Sequence, residues 1–125
     1  MTLNKQDIAA MIRVDQAGEY GATRIYAGQL AVMGNAHPDA VAIATMAKQE
    51  QRHLDEFNRL MTARGVRPTL LQPFWRVAGF ALGAATALIG PAAAMACTEA
   101  IETESDAHYQ AQLDALNGLD ASASD

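Results

Sequence analysis

Apolar residues recur three and four positions apart along almost the whole chain, the period of an α-helix. No stretch alternates with the period of two that marks a strand. Ile8, Ile12, Ala22, Tyr26 and Met33 share one face, Met46 and Phe57 a second, and Met95, Leu113 and Leu116 a third. Proline stands only at positions 38, 68, 73 and 91, and glycine is sparse outside 79 to 90, so the breaks fall between long helices. The pattern predicts an all-α fold with helices over about 4–32, 38–63, 73–89 and 91–117, one domain over 1–117 and a frayed, disordered tail over 118–125. Local signals agree. Asn4 and Asp7 are spaced as a capping box, Pro38 suits a first helical turn, and "RGVRP" supplies a glycine stop followed by a proline.

The stripes are interrupted by acids. Asp15 and Glu19 lie on the apolar face of the first helix, Glu50 and His53 on that of the second, and Glu102 on a stripe with Thr98, Ser105 and Tyr109 in the last. An ionised carboxylate on a dry face costs several kcal/mol unless it is paired, protonated or bound to a metal. Glu19 precedes Gly34 by 15 residues and Glu50 follows Asn35 by 15. A hairpin turning at "GNAHPD" therefore brings both to one level, roughly 22 Å from the turn. His53 stands one turn beyond Glu50, and this Glu-x-x-His spacing lets a carboxylate bridge two ions while an imidazole completes one of them. A plainer reading rotates each helix so that its acid meets water, and a Glu-x-x-His also arises by chance at ordinary composition. Asp15 reads as a solvated or ion-paired acid, or as a hydrogen-bond partner of a ligand. His37 reads as a loop residue and Cys97 as a small packing residue. His108 and Tyr109 read as a surface histidine and a core-edge tyrosine, or as residues lining a pocket.

Composition narrows the setting. The chain has 125 residues, half of them hydrophobic, enough for one small core. The single Cys97 excludes an internal disulfide, and "MTLNKQDIAA" lacks a basic flank leading into an apolar run, so a cytoplasmic location is expected. The net charge of −5 argues against nucleic acid. All nine Lys and Arg lie before Cys97, so attraction to anionic lipid or a partner belongs to the front of the chain. Residues 77–97 carry no charge over 21 positions, yet they are mostly Ala and Gly with a Gly90-Pro91 break. A buried or membrane-surface helix is expected there rather than a span. Gly79 and Gly83 form a small-xxx-small pair that lets another helix approach closely. Phe74, Trp75 and Phe80 are either interfacial or core residues.

The run "MIRVDQAGEYGATRIYAGQLAV" resembles the first helix of the 5-demethoxyubiquinone hydroxylases of ubiquinone biosynthesis, membrane-associated di-iron monooxygenases with a ferritin-like bundle. The likeness continues through "KQEQRHLDEF", "GVRPTLLQPFWRVAGFALGAATALIGPAAAMACTEAIE" and "HYQAQL", from Met11 to about Leu116. It implies that Glu19, Glu50, His53 and Glu102 are ligands of two iron ions, and that His108 and Tyr109 are catalytic residues near the quinone ring. It further implies O2 and NADH-derived electrons as co-reactants and a demethoxyubiquinone with a polyprenyl tail as substrate. The expected setting is peripheral, on the cytoplasmic face of the cell membrane, with a second copy or other ubiquinone-biosynthesis proteins as partners. The family's bundle also carries a second Glu-x-x-His on a later helix, which this sequence lacks: Glu104 and His108 are four apart, too near Glu102 for a separate helix. A fragment, or a chain that borrows a helix, is expected, with a large apolar patch where inner faces are left bare. Two rivals stand beside the hydroxylase: a non-catalytic helical module that binds quinone or lipid or dimerises, and a ferritin-like protein that oxidises or stores iron.

Overall fold

The computed structural model describes the backbone of residues 4–34 and 37–124, and the side chains of those residues up to 104 and at 107, 110, 111 and 114. Four helices follow one another: α1 (Lys5–Met33), α2 (Pro38–Arg64), α3 (Gln72–Ile89) and α4 (Pro91–Ser124). The expected starts and stops hold to within about a residue for α1, α2 and α3. Asn4 and Asp7 form the reciprocal capping box. Gly65, in the left-handed region at φ 67°, closes α2 by returning its N–H to Met61 and Thr62. His37 does more than fill a loop, since its Nδ1 accepts from the Asp39 N–H at 3.1 Å and caps α2. The last helix runs past the expected end at 117 to Ser124. Beyond Pro91 it meets no proline, and the one glycine, Gly118, costs a helix interior only about 1 kcal/mol.

Cross-helix hydrogen bonds fix the directions. Gln16 donates to Asn58 at 3.1 Å and Glu19 stands beside His53, so α1 and α2 run antiparallel. Arg24 donates to the Arg76 carbonyl and Gln29 to Thr86, so α3 runs parallel to α1. Gln29 also donates to the Ala94 carbonyl and accepts from Thr98 while Tyr26 donates to Glu102, so α4 runs antiparallel to α1. The first helix is thus the common wall of the array.

The α1–α3 contact is backbone on backbone. A Cβ on Gly83 would fall inside the Ile25 carbonyl, one on Gly28 would meet Ala84 N at 2.8 Å, and one on Gly79 would meet Arg24 Cβ at 2.9 Å. The small-residue pair expected at 79 and 83 therefore does seat a neighbouring helix, and Gly28 completes it from the other side. Outward, α3 is apolar: Phe74 and Trp75 are exposed, whereas Phe80 is half-buried beneath the Arg24 guanidinium. Among the described residues no helix is long and apolar enough to cross a membrane.

Candidate metal centre

Two apolar clusters lie along the α1–α2 seam. Ile12, Phe57 and Met61 close its lower end, and Ala22, Tyr26 and Ile43 join Ala87 and Ala94 at the upper end. The acids fill the gap between them. Glu19 is buried at 5% exposure and Glu50 at 0%. One side-chain atom each of Glu19, Glu50 and His53 can be chosen so that all three lie within 4.8 Å of one another. His53 Nδ1 stands 3.9 Å from a carboxylate oxygen of both Glu19 and Glu50. The hairpin register expected from the spacing around "GNAHPD" thus brings these three groups together.

The chemistry of the set fits a cation. Both carboxylate oxygens of Glu50 are buried and receive no hydrogen bond. A fully buried acid in that position needs positive charge beside it, because its lost hydration is not repaid by donors. Two carboxylates and an imidazole are hard and borderline ligands suited to iron or a similar divalent ion. A half-buried His53 leaves the cluster an open side.

Glu102 is placed differently. It stands outside the 4.8 Å group, half-buried on α4, and accepts a hydrogen bond from the Tyr26 phenol at 2.7 Å. His108 and Tyr109 belong to the helical backbone of α4, but their side chains lie outside the described residues. Asp15 is half-buried one turn before Glu19. Cys97 is also half-buried, and burial pushes its thiol up from the ordinary range.

Tyr26 and Gln29 are the functional-looking residues that hydrophobic patterning passes over. Both are fully buried; Tyr26 bonds α4, and Gln29 bonds both α4 and Thr86 of α3. Their signal is a polar edge to the apolar stripe of α1: Gln16 and Gln29 stand three residues from Glu19 and Tyr26 respectively, and all four are buried. Burial first, and then the bond to Glu102, push the Tyr26 phenol far above the usual tyrosine range. A raised folded-state value means the stabilisation is complete below about pH 10, where an unfolded tyrosine titrates, and is lost as pH rises beyond it. Alkaline denaturation of the native chain should accordingly steepen above that pH, and Tyr26→Phe should flatten it. An identical alkaline limb in the two proteins would contradict the assignment.

Sequence comparison places this geometry in a family. The family described as "Ubiquinone biosynthesis protein COQ7" matches residues 6–124. A Rhodospirillum rubrum protein named 3-demethoxyubiquinol 3-hydroxylase is 56% identical over 109 residues, 87% of this chain and 51% of that protein. The Bos taurus NADPH-dependent 3-demethoxyubiquinone 3-hydroxylase, mitochondrial, is 54% identical over 114 residues, 91% of this chain and 52% of its own length. The Saccharomyces cerevisiae 5-demethoxyubiquinone hydroxylase, mitochondrial, is 52% identical over 104 residues, 82% of this chain and 45% of its own length. The chain spans about half the length of these curated relatives. With the match running through all four helices and containing Glu19, Glu50, His53 and Glu102, the chain belongs to the COQ7 family of ubiquinone biosynthesis proteins.

Proposed function

We propose that this chain carries all but the last Glu-x-x-His pair of the ligand set of a di-iron hydroxylase acting on the demethoxyubiquinone ring. The observation that carries the reading is the convergence of Glu19, Glu50 and His53 in a buried seam, with both oxygens of Glu50 lacking hydrogen-bond donors. In this reading Glu19, Glu50 and His53 hold iron, and Glu102 adds a carboxylate from α4. When bound, the two ions would activate O2, with electrons derived from NADH, for insertion of one oxygen into the ring. The protein groups would supply the negative charge that holds the cations, together with a water-poor seam around them. A second Glu-x-x-His would come from the remainder of a longer protein or from a partner chain.

A lipid substrate suits the rest of the surface. A cavity of about 610 Å³ lies along α1 and α3, lined by Val14, Ile25, Trp75, Leu82 and Ile101, with Arg13 at its edge. Ala22 and Ile101 border it one turn from Glu19 and next to Glu102, respectively, so a polyprenyl tail held there would leave its ring beside the carboxylates. His108 and Tyr109, six and seven residues after Glu102 in the sequence, are assigned in this reading to the quinone ring. The exposed apolar side chains of α3 would rest on the membrane surface, with the protein peripheral on its cytoplasmic face. The same cavity also supports the reading as a non-catalytic lipid-binding module.

Anaerobic loading with ferrous iron, followed by a demethoxyquinone, reductant and isotopically labelled O2, separates the readings. The expected result is about two irons per active unit and a labelled oxygen in the quinone product that chelation abolishes. Quinone binding that ignores chelators would instead favour the lipid-binding module. Ferrous oxidation indifferent to quinone would favour iron storage.

A further inference from the structure

We infer that Tyr26 is a positioning residue for the metal centre: its phenol holds one oxygen of Glu102 and leaves the other to coordinate. The inference rests on the metal-binding reading above and adds to it a residue and a role.

Tyr26 is fully buried on α1, two turns beyond Glu19 on the same face. Its hydroxyl donates to Glu102 Oε1 at 2.7 Å. The phenol therefore ties the acid that α4 brings to the helix that carries Glu19. One turn further along α1, fully buried Gln29 binds the Ala94 carbonyl at 3.1 Å and Thr98 at 3.1 Å. Thr98 is one helical turn before Glu102, so the height and rotation of α4 are fixed immediately above the carboxylate. Tyr26 is the last link of that set. A carboxylate has two oxygens, and occupying Oε1 with a neutral donor would leave Oε2 for a cation while preserving the full negative charge. Without the phenol, half-buried Glu102 is free to rotate toward water. Groups that orient a ligand through hydrogen bonds commonly govern about 10- to 100-fold in metal affinity.

Cobalt(II) is the probe, because its visible absorption reports coordination as well as occupancy. Native chain, Tyr26→Phe, Glu102→Ala and the double variant are titrated anaerobically, with helix content followed by circular dichroism. We expect Tyr26→Phe to weaken cobalt binding at least about tenfold and to alter the visible band, and to have no further effect once Glu102 is alanine. Glu102→Gln keeps an acceptor for the phenol while removing the anionic ligand, so it should fold and lose the same affinity. Unchanged affinity and spectrum in Tyr26→Phe, or losses that simply add in the double variant, would overturn the inference. Cobalt binding unaffected by Glu50→Ala would instead sink the metal-centre reading itself.

Discussion

Replacing Glu50 with methionine should stabilise the metal-free protein and abolish its stabilisation by metal. Glu50 is fully buried, its carboxylate oxygens accept no hydrogen bond, and Glu19 shares its small group of charges. Exchanging such a buried ionic residue for a well-packed apolar one commonly gains about 1–4 kcal/mol. Methionine matches the unbranched stem of glutamate and packs between its helical neighbours Met46 and Leu54. With metal present the order reverses, because an ion that binds only the folded state adds about 4 kcal/mol at a thousandfold excess over its Kd. Urea denaturation with and without ferrous iron reads both limbs. A metal-free variant less stable than the native chain, or a native chain that gains nothing from iron, would show that Glu50 is an ordinary structural acid.

The second large effect lies at the α1–α3 contact, where one type of substitution should have opposite signs at two glycines. A methyl group on Gly83 would overlap the Ile25 carbonyl, and backbone on both sides prevents either helix from yielding locally. Gly83→Ala should therefore cost about 3 kcal/mol or more, at or beyond the upper end of overpacking penalties. Gly18 lies in the same kind of helix with nothing within 4 Å of its would-be Cβ. Gly18→Ala should gain about 0.5–1 kcal/mol, because alanine loses less backbone entropy. Thermal unfolding of the two variants checks the pair. Equal effects would mean that α3 does not sit where its glycines place it, and the lipid cavity beside it would lose its wall.

Helix boundaries were readable because local chemistry fixes them: a capping box at Asn4, a proline at 38 and a left-handed glycine at 65 act within a few residues of themselves. The meeting of Glu19, Glu50 and His53 was also readable, since an antiparallel hairpin converts equal distance from a turn into equal height. The company of Glu102 was not. Whether an acid on α4 meets the cluster or a phenol depends on the rotation of α4, and that is set by Gln29 and Thr98, 69 positions apart. The aromatics of α3 were similarly ambiguous. Phe74 and Trp75 have the same apolar character as a core residue, and only the side of α3 taken by Gly79 and Gly83 turns them outward. Tyr26 was legible as a buried position but not as a donor, because patterning counts tyrosine as apolar.

The most direct test is a crystal structure of the chain loaded with ferrous iron, with data collected across the iron absorption edge. The account predicts an anomalous peak in the α1–α2 seam at about 2.0–2.2 Å from oxygens of Glu19 and Glu50 and from a ring nitrogen of His53. Iron bound elsewhere, with those three side chains left as they stand at present, would contradict it.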